Sequence, residues 1–138
     1  MIFVDSNVFI YAVGRPHALR EEAQRFFLQS SRAGNRLVTS AEVLQELLHV
    51  YLPVGRLATL DAALELATRG VDRVLPIDSE AVLQARALAD RHPELTARDL
   101  LQLALCRINR IQELKTFDRG LKNAFYKRKR QSSPRPSV

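Results

Sequence analysis

The fold class of this chain is decided by the stretch IFVDSNVFIY at residues 2–11. In this stretch a short apolar run ends at an acidic residue, and a helical segment follows. Residues 2–4 have the apolar character of a buried strand, and Asp5 follows them directly. Residues 6–11 then fit a short helical turn that begins after the acid. The chain beyond this segment repeats the order of strand and helix.

Three more short apolar runs predict strands, and longer stretches of helical periodicity lie between them. The strands are expected at residues 37–39, 74–77 and 113–116. The helices are expected at residues 17–32, 40–51, 57–68, 79–91 and 97–108. This alternation indicates an α/β fold in which helices cover both faces of a parallel sheet. Ligands of such sheets bind beyond the carboxyl ends of the strands, near the point where the strand order reverses.

The composition is that of one domain without a membrane anchor. The chain has 138 residues, of which 46% are hydrophobic and 26% are charged. No apolar run approaches the roughly 18 residues that cross a bilayer, and the N-terminus lacks the features of a signal peptide. We therefore expect a cytoplasmic protein. Its single cysteine, Cys106, cannot pair within the chain and is expected to be a buried, inert thiol.

Positive charge is concentrated at the C-terminal end of the chain. The net charge is +6, yet residues 119–138 contain seven bases and no acid, so the rest of the chain is slightly acidic. We expect a folded domain at residues 1–126 and a basic, disordered tail at residues 127–138. The tail either attracts RNA through its basic cluster or serves only solubility. The cluster consists of Lys127, Arg128, Lys129 and Arg130.

Four acidic residues are expected at the carboxyl edge of the sheet. Asp5 follows the first strand, and Asp118 lies two residues beyond the last one. Asp99 falls in the first turn of the helix at residues 97–108, and Glu46 borders the apolar stripe of an earlier helix. Carboxylates crowded in a half-buried cleft repel one another unless a cation holds them. Ligation by oxygen alone selects a hard ion such as Mg²⁺ or Mn²⁺.

Three of these acids have a second interpretation as helix caps. Asp5 would cap the turn that follows it, Asp99 would form a capping arrangement with Thr96, and Asp118 would cap a helix after the last strand. For each residue alone the cap is the more common outcome, whereas the four acids together favour a cation site.

Other chemistry-bearing residues are interpreted as surface or turn positions. Glu42 lies in the first turn of the same helix as Glu46 but points further from the apolar stripe, so we expect it at the surface. The three histidines are scattered and lack the spacing of zinc ligands. Neither a serine-hydrolase motif nor a phosphate-binding glycine loop is present.

Four segments of the chain together resemble the signature segments of PIN-domain ribonucleases, in particular the VapC-type toxins of toxin–antitoxin pairs. The segments are VDSNVFIY at residues 4–11, SAEVLQELL at 40–48, TARDLLQLALC at 96–106 and KTFDRGL at 115–121. The match covers residues 2 to about 125. The resemblance implies a PIN-like three-layer sandwich, in which helices cover both faces of a short parallel sheet.

The resemblance also implies an activity and a set of roles. The activity is that of a metal-dependent endoribonuclease that uses Mg²⁺ or Mn²⁺, with RNA as substrate, a cognate antitoxin as partner and a homodimer as the assembly. The implied catalytic residues and metal ligands are Asp5, Glu46, Asp99 and Asp118, and Asn7 and Thr116 take supporting roles. Within the cleft, a cation would lower the pKa of a bound water and neutralise charge on the phosphoryl oxygens.

Arginines near the predicted edge and an apolar segment offer further contacts. Arg15, Arg98 and Arg119 would hold RNA phosphates or remain solvated. Residues 44–66 carry more apolar side chains over two helices than a small sheet covers, which predicts either an interface or ordinary core. These side chains are Leu48, Val50, Tyr51, Leu52, Val54, Leu57, Leu60 and Leu64.

Two other function classes stay open. One is a signalling domain that binds Mg²⁺ and accepts phosphate at Asp78, and the other is a catalytically silent RNA-binding module. The first leaves Glu46 and Asp99 without a task, and the second leaves the carboxylates unexplained, because acids in an RNA cleft oppose binding unless metal is present.

Overall fold

A computed structural model of the chain describes residues 1–131, with side chains through residue 127, and these residues form four strands and seven helices. The strands are β1 (Ile2–Val4), β2 (Leu37–Ser40), β3 (Arg73–Leu75) and β4 (Glu113–Lys115). The helices are α1 (Ser6–Val13), α2 (Arg20–Ala33), α3 (Ala41–Tyr51), α4 (Leu57–Arg69), α5 (Ser79–Ala89), α6 (Ala97–Ile108) and α7 (Arg119–Gln131). The α/β class predicted from the sequence is confirmed.

The four strands form one parallel sheet in the order β3-β2-β1-β4. The register places Ile2 opposite Leu37 and Val4 opposite Lys115. From β1 the chain moves to β2 and β3 on one side and then returns to β4 on the other, so the strand order reverses beside β1. The carboxyl ends of β1 and β4 therefore form the edge where a ligand site is expected.

The core is built by apolar strands and by a helix that is buried along much of its length. Phe3 and Val38, from the two central strands, are fully buried. Helix α6 contributes an unbroken buried run from Leu103 to Cys106 and packs against α5. The expectation for Cys106 is confirmed, and its burial raises the pKa of the thiol, which favours the protonated form. No helix in residues 1–131 combines the length and apolar character that crossing a bilayer requires.

Two prolines end elements earlier than the periodicity predicted. Strand β3 stops at Leu75 rather than at residue 77, because Pro76 has no N–H group to continue the pairing. Helix α5 stops at Ala89 rather than at residue 91, and Pro93 follows shortly after. A proline disfavours helical geometry in the residue before it, which limits how far the helix extends.

The first two helices also differ from the prediction. Helix α1 continues to Val13, two residues beyond the expected turn, and Gly14 follows as its C-cap. Helix α2 begins at Arg20 rather than at His17. The Nδ1 atom of His17 accepts a hydrogen bond from the Leu19 N–H group at 3.1 Å, which holds these residues in a turn before the helix.

Helix α7 extends into the segment that the composition assigned to a disordered tail. The helix runs to Gln131, so residues 127–131 continue it rather than leave the domain at residue 126. Residues 132–138 lie outside the described part of the chain, as do the side chains of residues 128–131.

Candidate active site

A polar pocket of about 190 Å³ opens where the carboxyl ends of β1 and β4 meet. Four segments line it: the start of α1, the first turns of α3, the start of α6 and the loop after β4. The lining residues are Asp5, Ser6, Asn7, Glu42, Glu46, Thr96, Arg98, Asp99, Gln102 and Asp118. The four acids that the sequence placed at this edge therefore line the same pocket.

Asp5 is buried at the centre of this arrangement and is held by both of its oxygens. It is the N-cap of α1, and its Oδ1 accepts a hydrogen bond from the Ser6 N–H group at 2.8 Å. Its Oδ2 accepts a hydrogen bond from the Thr116 hydroxyl at 2.8 Å. Burial raises the pKa of Asp5 above its usual value, these two hydrogen bonds oppose the rise, and the nearby charges of Asp99 and Asp118 add to it.

Thr116 connects three polar residues, from the start of α1 and the loop after β4, through one hydroxyl group. Because Val4 pairs with Lys115, the next residues along the two strands, Asp5 and Thr116, are adjacent. Thr116 Oγ1 donates to Asp5 and accepts from Asn7 Nδ2 at 3.2 Å and from the Asp118 N–H group at 3.0 Å. One donor and two acceptors use the full capacity of a hydroxyl. Asn7 and Thr116 therefore both contact the acidic edge, and their supporting roles stay a prediction.

Asp99 and Asp118 are helix caps as well as pocket residues. Asp99 forms a capping box at the start of α6, in which it exchanges two hydrogen bonds of 3.2 Å with Thr96. Asp118 Oδ1 accepts a hydrogen bond from the Leu121 N–H group in α7 at 3.0 Å. The capping interpretation is therefore correct for all three aspartates, yet it does not exclude a functional role, because each carboxylate has a second oxygen.

Glu46 and Glu42 both approach the pocket from α3. Glu46 is half-buried and forms an ion pair with Arg98 of α6. The expectation that Glu42 is a surface residue is wrong, because its side chain lines the pocket. Burial raises the pKa of Glu42, and the positive charge of Arg98 opposes that rise. The periodicity of α3 alone carries no information about Arg98, the positive charge that α6 places opposite Glu42.

The carboxylate oxygens of the pocket are chemically suited to a hard divalent cation, but the acidic side chains do not yet point at one common position. Among the described residues, no three His, Cys, Asp or Glu side chains come close enough together to hold a metal ion. Capping bonds engage an oxygen of the three aspartates, and Arg98 engages Glu46. Carboxylate oxygens are the preferred ligands of Mg²⁺ and Mn²⁺, and a bound cation would oppose both the burial and the repulsion by Asp99 and Asp118 that raise the pKa of Asp5.

The basic residues selected from the sequence are spread over the surface. Arg98 lies in the pocket, whereas Arg15 and Arg119 are exposed and do not line it. Lys127 is exposed on α7 and lines a separate open cavity of about 510 Å³. The side chains of Arg128, Lys129 and Arg130 lie outside the described residues.

Gln102 and Ser40 form a buried polar contact at the pocket that the sequence analysis did not recognise. Gln102 lines the pocket, and its Oε1 accepts a hydrogen bond from the Ser40 hydroxyl at 2.8 Å. The available signal was a single glutamine that interrupts the apolar run of α6. Ser40 is the N-cap of α3, and its hydroxyl oxygen accepts a hydrogen bond from the Val43 N–H group at 3.2 Å.

Comparison with known proteins identifies the family. Residues 2–125 match the model of the PIN domain. The chain is 53% identical over 125 residues to Ribonuclease VapC23 of Mycobacterium tuberculosis H37Rv, and the alignment covers 91% of this chain and 98% of that protein. It is 42% identical over 120 residues to Ribonuclease VapC13 of the same strain, covering 87% of this chain and 92% of that protein.

A solved structure shows the same fold. It is the crystal structure of Mycobacterium tuberculosis VapC20, described as a sarcin-ricin loop cleaving toxin. The TM-score is 0.78 at 24% sequence identity, and the match covers 90% of this chain and 95% of that one. The family match spans nearly the whole described domain, and two curated ribonucleases align over almost their full lengths. The chain therefore belongs to the PIN-domain family, among its VapC-type ribonucleases.

Proposed function

We propose that this chain is the toxin of a toxin–antitoxin pair and that it hydrolyses RNA phosphodiester bonds with Mg²⁺ or Mn²⁺ at the carboxylate pocket. The observation that carries the proposal is that Asp5, Glu46, Asp99 and Asp118, from four separate segments, line one pocket. The names of the relatives, which call them ribonucleases, supply the reaction and the class of substrate. Carboxylates alone repel RNA phosphates, so a cation is needed for the pocket to receive its substrate.

Several groups of the pocket have a defined task in this proposal. A cation held by the carboxylates would supply positive charge that stabilises the negative charge growing on the phosphoryl oxygens during hydrolysis. Asp5 is already oriented by its two hydrogen bonds, so little further ordering is required of it. Asp99 and Asp118 each have one oxygen outside their capping bonds that is available for ligation. Arg98 exchanges its contact with Glu46 for a phosphate when RNA enters.

The two rival functions have weaker support. A phosphoacceptor site would use Asp78, but Asp78 is the N-cap of α5, where its Oδ1 accepts a hydrogen bond from the Ala81 N–H group at 3.0 Å. It also follows β3, at the far edge of the sheet, and is absent from the lining of the pocket. A catalytically silent RNA-binding module does not explain four acids at one edge of the sheet. It also does not explain why the similar proteins are named ribonucleases.

Cleavage of RNA by the full chain is expected to require a divalent cation. The carboxylates of the pocket repel the RNA phosphates, and a bound cation would offset that repulsion. We expect purified protein to cut total RNA at discrete sites in the presence of Mg²⁺ or Mn²⁺. Chelation with EDTA should abolish the cleavage, and an excess of Mg²⁺ should restore it. Mapping of the fragment ends measures the activity and identifies the cut positions.

Cleavage that persists in EDTA would contradict the metal requirement. Absence of cleavage with either cation would contradict the proposed function as a whole. A preparation of a catalytically impaired variant, purified in the same way, shows whether any observed cleavage belongs to a contaminating nuclease.

The hairpin of α3 and α4 offers an apolar surface for self-association. Tyr51 and Leu60 from the predicted apolar segment are buried, so the core interpretation is correct for them. Leu52, Val54 and Leu57 are 51%, 66% and 56% exposed. Exposed apolar side chains that cluster in one hairpin mark an interaction surface. We propose that this surface forms the homodimer contact.

Replacing both Leu52 and Leu57 with Asp is expected to convert a dimer into a monomer, because two charges cannot be buried unpaired in an apolar contact. Sedimentation at micromolar concentration measures the assembly state. Leu83→Asp is the matched control, since Leu83 is 70% exposed on α5 and should leave the dimer intact. A parent chain that sediments as a monomer would contradict the proposed contact.

A further inference from the structure

The side chain of Gln102 is the most buried amide of the pocket. It lies on α6, one helical turn after Asp99, and it is 4% exposed while still lining the pocket. Within the part of the chain that the structure describes, its hydrogen bond is the one from Ser40 to Oε1. An amide carries two N–H donors in addition to its oxygen, and neither has a partner among the described residues.

The orientation of this amide is set by Ser40. The Ser40 hydroxyl is fully buried, and its oxygen already accepts a hydrogen bond from the Val43 N–H group at the start of α3. Its hydrogen therefore needs an acceptor, because a buried donor without one costs stability. Gln102 Oε1 is that acceptor, at 2.8 Å. A flipped amide would present N–H groups to the hydroxyl instead, so Ser40 holds Nε2 on the side of the pocket.

The other side chains of the pocket offer an entering phosphate few hydrogen-bond donors. Most of the charged side chains that line it are acids, and Arg98 is the single base among these lining residues, so a phosphate that contacts Arg98 still needs further donors. A phosphate that enters must find hydrogen-bond donors that the surrounding carboxylates do not neutralise. A carboxamide fixed in advance by a buried partner meets this need, because little ordering remains when the substrate arrives.

We propose that Gln102 is a substrate-positioning residue whose Nε2 donates a hydrogen bond to a non-bridging oxygen of the scissile phosphodiester, with Ser40 locking the amide in that orientation. The inference rests on the proposed ribonuclease function and adds a contact that involves no acid and no metal ligand. A hydrogen bond to a charged oxygen is stronger than one between neutral groups. Loss of this contact is expected to lower kcat/KM by about 10- to 100-fold.

The test uses Gln102→Leu and short RNA substrates that contain a site cut by the parent chain. Two versions of the RNA carry sulfur in place of one or the other non-bridging oxygen at the scissile bond. In the parent, sulfur at the oxygen that Gln102 contacts should reduce kcat/KM, because sulfur accepts hydrogen bonds poorly. In Gln102→Leu that reduction should be smaller, since the contact is already gone and the two effects are not additive.

Two further variants separate contact with substrate from structural damage. Gln102→Glu keeps an oxygen for Ser40 but has no N–H group, so it should lose activity and the sulfur effect. The added acid lies among other carboxylates and should lower the unfolding temperature, so thermal unfolding is measured to check that the variant stays folded. Gln45→Leu makes the same substitution as the main variant at an exposed position of α3 and should leave cleavage unchanged.

Equal sulfur effects in the parent, Gln102→Leu and Gln102→Glu would overturn the inference, because they would show that Gln102 acts on the fold and not on the phosphate. Such a result would leave the proposed function standing, since the parent would still cleave. A parent chain that cuts no RNA with Mg²⁺ or Mn²⁺ would overturn the proposed function and this inference together.

Discussion

Replacing Asp5 with Asn is expected to lower the turnover of RNA by at least about a thousandfold while the protein stays folded. Asp5 is the buried acid of the pocket, with 7% of its surface exposed. Asn keeps the size of the side chain and an oxygen that accepts the hydrogen bond from Ser6. It removes the negative charge that would hold the cation. A cleavage assay at saturating RNA, with parent and variant side by side, measures the change.

The same substitution is expected to change how the stability of the protein depends on pH in the absence of divalent cations. Burial raises the pKa of Asp5, and the charges of Asp99 and Asp118 act in the same direction. A carboxyl group whose pKa rises on folding binds its proton more tightly in the folded state, so its ionised form costs stability. The stability of Asp5→Asn relative to the parent should therefore be lowest at acidic pH, rise as the pH passes through the unfolded and then the folded pKa of Asp5, and remain constant above both.

Asp61→Asn is the matched control, because Asp61 is exposed on α4 and does not line the pocket. Added Mg²⁺ should raise the unfolding temperature of the parent and of this control, since a ligand that binds only the folded state stabilises it. Asp5→Asn should show no such increase. Turnover of Asp5→Asn at the rate of the parent, or an equal gain in stability with Mg²⁺, would contradict the assigned role.

The fold class was predictable because its signals are local. The run at residues 2–4 is apolar at every position, as a strand covered on both faces must be. Helix α2 ends at Ala33, one residue beyond the predicted end, and Gly34 follows at a φ of 68° that other residues rarely adopt. The boundaries that differ depend on chemistry outside the periodic pattern, such as the missing N–H group of Pro76.

The acidic edge was predictable because parallel strands end together. Asp5 and Asp118 each follow a strand, which is enough to predict that both lie at one edge of the sheet. In the structure both line the same pocket. The capping and cation-site interpretations of the aspartates do not exclude each other. A capping bond uses one oxygen of Asp99 or Asp118 and leaves the second, so both interpretations hold at once. The role of Asp99 and Asp118 as metal ligands stays a prediction.

Contacts between distant segments were beyond the sequence analysis. Arg98 pairs with Glu46 only because the start of α6 lies against α3, and no helical wheel of either element contains that information. The same packing draws Glu42 to the pocket. Gln102 likewise acquires its orientation from Ser40, which is 62 residues away in the chain.

Replacing Thr116 with Val is expected to reduce turnover by about 10- to 100-fold and to lower the free energy of unfolding by roughly 1–3 kcal/mol. Valine has nearly the shape of threonine but lacks the hydroxyl that donates to Asp5 and accepts from Asn7 and from Asp118. Asp5 would lose a hydrogen bond that lowers its pKa, so that pKa should rise further. Steady-state cleavage and chemical denaturation measure the two effects.

Thr39→Val provides the matched control for this substitution. Thr39 is also buried, in strand β2, where its hydroxyl donates to the Val4 carbonyl at 2.8 Å, but it makes no hydrogen bond to an acid of the pocket. We expect Thr39→Val to lose stability and to keep its turnover, whereas Thr116→Ser should recover turnover because it restores the hydroxyl. If Thr39→Val and Thr116→Val lose turnover equally, the effect arises from general destabilisation, and Thr116 does not position Asp5 for catalysis.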